Sequence, residues 1–228
     1  MNILTELFAW VFAQYQDYPP LLMMLEFVAA IFGLISVLLV RRGNILAYPI
    51  GLLSTGLYVY LLWQWQLFGD MLINAYYTLM SVYGWINWSN NQNKHIATIE
   101  TTNKQEWLFS GIIIVLTFIF VGMVYYIKPW INNQFSFDNI SLGFGHFAMT
   151  DYVDMFSTGL FLVAMWLMAR RKIEHWLVWI VADFISIPLY FYKGMIFTSI
   201  QYALFTLIAI SAYLYWQKLY QEQGYYYF

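Results

Sequence analysis

Cysteine is absent from the 228 residues, which excludes disulfides, thiolate metal sites and cysteine nucleophiles. Charge is scarce. Asp, Glu, Lys and Arg make up 10% of the chain, where a water-soluble domain carries about 25%. Ten basic residues against twelve acidic ones leave no surplus for a phosphate backbone, so nucleic acid is not an expected partner. No Walker-type glycine-rich loop is present, so ATP does not drive this chain directly. The three histidines, His95, His146 and His175, fall in loops or at the edge of an apolar run, which argues against a haem or metal held between spans. Every Lys and Arg is likewise in a loop or at a run end, so no cation is placed to grip a phosphate deep inside. With no credible set of nucleophile, base and metal, neither an enzyme nor a cofactor is expected.

What the chain has in abundance is apolar side chains, 62% of the total. They gather in seven long runs nearly free of charge, at 21–40, 45–63, 71–88, 107–127, 155–169, 176–192 and 195–216. Each is close to the length that crosses a bilayer as a helix, and none alternates with the period of two that a barrel strand needs. The expectation is an all-α integral membrane protein with seven transmembrane helices. Residues 1–20 differ. Leu4, Leu7, Phe8, Val11 and Phe12 make one apolar helical face that Pro19 and Pro20 end, with no basic stretch before it. This reads as a short amphipathic helix lying on the membrane surface rather than a signal peptide.

Basic residues set the orientation. One side of the seven spans carries Lys128 and Lys193. The other carries Arg41, Arg42, Lys94, Lys104, Arg170, Arg171, Lys172 and Lys218. The positive-inside rule places the second side in the cytoplasm, with the N-terminus outside and the C-terminus inside. Residues 128–150 then form an outer loop.

A shift of 128 positions superimposes two parts of the chain without a gap: Glu26 on Asp154, Arg42 on Arg170, Ile45 on Ile173, Tyr48 on Trp176, Trp85 on Tyr213 and Trp88 on Trp216. The units are 21–88 and 151–218, three helices each, and the span at 107–127 joins them. Three helices plus one linker make both units run the same way through the membrane, a parallel repeat with a site between the halves.

Polar residues fall in stripes. In the third span Asp70, Asn74, Tyr77, Ser81, Trp85 and Trp88 share a helical face. So do Trp176, Trp179, Asp183, Ser186 and Tyr190 in the sixth, and Thr198, Gln201, Tyr202, Phe205, Tyr213 and Trp216 in the seventh. The second span adds Asn44, Tyr48, Gly51, Thr55 and Tyr58, while the fourth has only Thr117. Polar groups in hydrocarbon need a partner or water, so matched stripes point to a central cavity walled by aromatic and polar groups. Taken singly, each reads as interhelical glue before ligand, and it is the set that favours a cavity. Asp183 is the one ionisable group deep in a span, and a buried carboxylate there is a functional candidate. Trp88 and Trp216 end their spans and fit an interfacial aromatic belt. The site candidates are Asn74, Tyr77, Trp85, Trp179, Asp183, Gln201 and Tyr202. The four rings would stack on a flat ligand, and Asp183, Asn74 and Gln201 would hydrogen-bond.

Three stretches together resemble the bacterial PnuC nicotinamide riboside transporters: Asn44 with Tyr48, Pro49 and Gly51; Tyr83, Gly84 and Trp85 with Trp88; and Arg170, Arg171, Lys172 and Glu174 with Trp176, Trp179 and Asp183. The resemblance covers nearly all of 22–218. It departs at Tyr48, where the family usually has Trp, and in the last span, which lacks a Gly often seen there. The resemblance implies facilitated diffusion of nicotinamide riboside, a vitamin B3 form and NAD precursor, across the inner membrane, in a fold similar to the SWEET sugar transporters (3+1+3) and as a homo-oligomer, with a trimer plausible. The alternatives left open are an ion-coupled carrier or a transporter of another nucleoside-like vitamin or a sugar.

Overall fold

The computed structural model describes residues 19–64, 68–92, 99–133, 135–138, 140–192 and 196–225. The expected surface helix at 1–20 lies outside them apart from Pro19 and Pro20. Seven α-helices follow: α1 Pro20–Arg41, α2 Ala47–Gln64, α3 Phe68–Gln92, α4 Lys104–Asn132, α5 Met149–Ala169, α6 His175–Tyr192 and α7 Ile196–Tyr225, with one 3₁₀ turn at Phe144–His146. Among the described residues there is no strand, only an isolated bridge between Glu100 and Lys172. Five helices, α1, α4, α5, α6 and α7, contain a stretch long and apolar enough to cross a membrane. α2 and α3 fall short of that apolarity, and they are helices that carry the polar stripes read from the sequence.

The helices start and stop for local reasons. Pro20 stands at the first position of α1, where its missing N–H costs nothing. α1 ends at Gly43, whose φ of 65° lets Asn44 N–H reach the Leu39 carbonyl at 2.9 Å and Gly43 N–H the Val40 carbonyl at 2.8 Å. α5 ends by the same two bonds, Lys172 N–H to Leu167 and Arg171 N–H to Met168, both at 3.0 Å. There the left-handed position, φ 60°, is held by Arg171. An arginine in that conformation costs roughly 1 kcal/mol over glycine, so something else must hold the turn. α4 opens with a reciprocal cap between Asn103 and Glu106, both bonds 2.9 Å. It runs on to Asn132, past the expected end at 127, because Lys128 and Pro129 fall in its last turns and do not stop it.

Six of the helices close into a ring. α1 packs on α2, α2 on α3, α3 on α5, α5 on α6, α6 on α7 and α7 back on α1. α4 stands outside the ring and packs chiefly on α5, through close approaches such as Gly159 to the Ile114 backbone, and turns Leu108, Ile112, Val115, Leu116, Ile119 and Met123 outward.

The ring is tied at the end that bears Arg41–Arg42 and Arg170–Lys172, here the basic end. The Trp216 indole N–H of α7 donates to the Val40 and Arg41 carbonyls of α1, at 3.2 and 2.9 Å. The Tyr48 hydroxyl of α2 donates to the Met168 carbonyl at 3.1 Å, and the Asn87 amide of α3 to the Ala169 carbonyl at 3.0 Å. Carbonyls in a helix's last turn have no partner within the helix, so the bonds to Arg41 and Ala169 cap α1 and α5 while crossing between helices, and those to Val40 and Met168 add to the turn bonds from Gly43 and Arg171. Trp88 and Trp216 are fully buried here with ring centres 6.1 Å apart, and Tyr48 meets Trp88 edge-on at 5.0 Å. They are core, not the interfacial belt read from their places at span ends. Packing from three sides has overridden that rule.

Gly84 makes this packing possible. A Cβ there would fall 2.2 Å from the Tyr48 ring, which the Met168 bond and Trp88 hold in place. Overpacking costs about 1–3 kcal/mol. Gly84→Ala is therefore expected to lower the Tm of the detergent-solubilised protein by about 3–10 °C. Gly56→Ala, on a helix face with open space, is expected to leave it unchanged or slightly higher. Differential scanning fluorimetry on the two variants checks the contrast, and equal melting would contradict it.

Candidate functional site

The ring encloses a cavity of about 270 Å³, large enough for a small organic molecule. All six ring helices line it and α4 does not. α1 contributes Gly33 and Ser36, and α2 contributes Gly51, Ser54 and Thr55. Both present little bulk. α5 and α6 face them with Phe161, Trp176, Trp179 and Asp183, and α3 and α7 complete the wall with Tyr77, Tyr202 and Phe205.

The aromatic wall is locked by its own contacts. Phe161 lies 5.6 Å from Trp179 and stacks on Tyr202 at 5.7 Å, and Tyr202 stacks on Tyr190 at 5.1 Å. The small wall is fixed by hydroxyls. Ser54 donates to the Ala29 carbonyl at 2.7 Å, Ser36 to Ala47 at 2.8 Å and Thr55 to Gly51 at 3.0 Å. The serines tie α1 to α2, and Gly33 and Gly51 let the two helices approach, since a Cβ on either would press on Ser54 or Ser36 of the other helix. Among the described residues the only charge in the lining is Asp183, 3% exposed.

Of the seven residues read from the sequence, the structure brings Tyr77, Trp179, Asp183 and Tyr202 together around this space. Asn74, Trp85 and Gln201 are not in the lining. Asn74 turns its amide to the Asp70 carbonyl at 3.0 Å. Trp85 is 43% exposed, and Gln201 faces outward. On α3 the buried side is centred on Ser81, Gly84 and Trp88, which rotates Trp85 off the wall. Phe161, Trp176, Phe205 and the two glycines were not singled out as site residues. Phe161 carries no polar signal, and a glycine marks room only once its neighbours are known.

The cavity is sealed at the basic end by Tyr48 and Trp176. Behind them lie Trp88, Trp216 and His175, and His175 Nδ1 donates to the Lys172 carbonyl at 2.7 Å. Arg171, itself buried, lays its guanidinium over Trp88 at 4.1 Å, which holds the turn that its backbone conformation disfavours. It lies behind the seal and does not line the cavity.

The same turn is clamped from outside. Glu100 N–H donates to the Arg171 carbonyl at 3.1 Å, and Ile173 N–H to the Glu100 carbonyl at 2.9 Å. Thr102 gives its N–H and hydroxyl to Glu174 Oε2 at 2.9 and 2.7 Å. Lys172 Nζ reaches Glu100 at 2.7 Å and Glu106 at 3.1 Å, and Arg170 reaches Glu106 at 2.9 Å. Burial alone would lower the Lys172 pKa, but the hydrogen bonds and charges of Glu100 and Glu106 outweigh it and hold it above the usual lysine value. The clamp therefore stays charged through neutral pH, and its contribution is lost only as pH climbs through that raised value.

Helices apolar enough to span a bilayer, closed in a ring about an aromatic cavity with one carboxylate, are the build of a multi-pass membrane carrier. Residues 23–218 match the family model of the nicotinamide mononucleotide transporters, and the chain belongs to that family. It is a family of transporters, not enzymes. The chain is 26% identical over 213 residues to the nicotinamide riboside transporter PnuC of Escherichia coli (strain K12), covering 88% of this chain and 87% of that one. It is 28% identical over 206 residues to the PnuC of Neisseria mucosa, covering 84% and 71%. Its fold is similar to the crystal structure of a vitamin B3 transporter PnuC, with a TM-score of 0.57 and 24% identity over 94% of this chain and 87% of that one.

Removing the buried lysine tests the clamp. Lys172→Met leaves Glu106 to Arg170 alone and frees Glu100, a loss of about 2–3 kcal/mol. A Tm lower by about 5–10 °C is expected, with faster amide exchange at residues 99–103 than elsewhere. Unchanged exchange there would mean that the backbone bridge alone holds the segment.

Proposed function

We propose that this protein carries nicotinamide riboside across the bacterial inner membrane by facilitated diffusion, with the ligand held in the ring cavity. The observation that carries the reading is the lining itself. Trp179, Tyr77 and Tyr202 offer faces for a flat cationic ring, and Asp183 offers a carboxylate to its charge or to the ribose hydroxyls. The relatives named above as nicotinamide riboside transporters supply the ligand's identity. Asn74, Trp85 and Gln201 lie outside the cavity lining and make no ligand contact in this proposal. Among the described residues no Lys or Arg lines the cavity, so a phosphate on the ligand would find no counter-charge there.

Two parallel three-helix repeats, 21–88 and 151–218, joined by a linker helix account for the arrangement. Support comes from the shift of 128 positions. The turn bonds Asn44 to Leu39, Gly43 to Val40 and Ala47 to Asn44 recur as Lys172 to Leu167, Arg171 to Met168 and His175 to Lys172. The left-handed residues Gly43 and Arg171 correspond. The contact of α3 with α5 corresponds to that of α7 with α1. Lining residues correspond too: Gly33 with Phe161, Tyr48 with Trp176, Gly51 with Trp179, Thr55 with Asp183, Tyr77 with Phe205 and Ser81 with Ala209. A cavity lying on the pseudo-two-fold axis between the halves follows.

The excess of Lys and Arg at the basic end supports a cytoplasmic location for that end, with the N-terminus outside and the C-terminus inside. The outward apolar face of α4 suits lipid or the neighbouring subunit of a homo-oligomer, a trimer in this proposal.

Titration calorimetry on the solubilised protein tests the ligand. Riboside is expected to bind and its mononucleotide to bind at least tenfold more weakly. Trp179→Ala removes a stacking face worth about 2 kcal/mol, which is roughly thirtyfold in Kd. Equal affinity for the phosphate, or an unchanged Kd in that variant, counts against this site. Uptake by proteoliposomes with no nucleotide present then tests passive transport.

A further inference from the structure

We infer that Asp183 makes the carrier selective for the oxidation state of its cargo, taking the cationic pyridinium form of the nucleoside and rejecting the uncharged dihydropyridine form of the same molecule. This rests on the riboside reading given above and sharpens it.

The argument begins with what surrounds the carboxyl. Asp183 is buried, faces the cavity, and has no hydrogen-bond donor on its carboxyl among the described residues. The titratable groups facing it are tyrosines: Tyr77 from α3, Tyr202 from α7 and Tyr190 on α6, with Tyr48 of α2 at the basic end. α1 and α5 line the cavity with Gly, Ser, Val, Phe and Met and turn no charge toward it. At the basic end no Lys or Arg lines the cavity among the described residues. Arg171 is taken up over Trp88 behind the seal, and Lys172 and Arg170 by Glu100 and Glu106. Among the described residues, therefore, no cation partners Asp183.

A lone acid in such a place is costly, and structural acids in membranes are found paired. A positively charged ring in the cavity would supply the missing partner. The geometry suits it, because Trp179 lies one helical turn before Asp183 on the same face of α6, so a ring against that indole sits beside the carboxyl. The reduced nucleoside has nearly the same outline, amide and ribose but no charge. It leaves Asp183 as unpaired as the empty cavity does. In a space with few water contacts, losing one partner of an ion pair is felt strongly.

Reduction also weakens stacking, so the decisive measurement is a cycle of two ligands and two proteins. Calorimetry with nicotinamide riboside and its 1,4-dihydro form on the full-length wild type is expected to show at least thirtyfold preference for the cation. Asp183→Asn keeps the shape and removes the charge, and the preference is expected to fall by tenfold or more, leaving only the stacking difference. Asp183→Glu restores a carboxylate and is expected to recover part of the preference, which separates charge from damage to the fold. A preference equal in wild type and Asp183→Asn overturns the inference while leaving riboside transport intact. So does equal binding of both forms by the wild type. Absence of binding by either form to folded wild type overturns the riboside reading itself, and the inference with it.

Discussion

The last carbonyls of α1 and α5 are capped by side chains from the far half of the ring, and the cavity depends on those caps. A buried carbonyl left without a donor costs about 1–3 kcal/mol. Trp216 satisfies α1, and Tyr48 with Asn87 satisfies α5. Because each donor belongs to another helix, capping and closure are one event. The ring cannot part at the basic end without exposing carbonyls on both sides. Tyr48 joins this closure to the site, since its hydroxyl makes a cap while its ring forms the cavity floor.

Much of this was legible in the sequence. Seven helices, the paired turns and the polar stripes on α2, α3, α6 and α7 follow from apolar runs and helical periodicity. Asp183 and Trp179 stood out because a charge and an indole four positions apart share a face. Other features were not legible, for physical reasons. A stripe fixes a face to within about one residue's turn of the helix, enough to carry Trp85 out of the wall while Tyr77 stays in it. Trp88 and Trp216 obey the belt pattern by position, and only their neighbours make them core. Arg171 and Lys172 read as solvated cytoplasmic charges. Their burial depends on the segment at 99–103 folding back across the turn, a contact between residues some seventy positions apart.

The family takes its description from the mononucleotide, yet among the described residues no Lys or Arg lines the cavity of this member. The buried guanidinium of Arg171 lies over Trp88 and outside the lining. The charge that the described lining carries is the carboxylate of Asp183, an arrangement suited to a cation and poor for an anion.

The two walls of the cavity are unequal, with glycine at 33 and 51 facing phenylalanine at 161 and tryptophan at 179. A strictly two-fold container would accept an asymmetric guest in either of two reversed poses and could not tell them apart. Here bulk lines one side of the cavity and glycine is found on the other. A wall of that kind separates the two ends of an unsymmetrical guest, where a uniform wall would leave both poses equal.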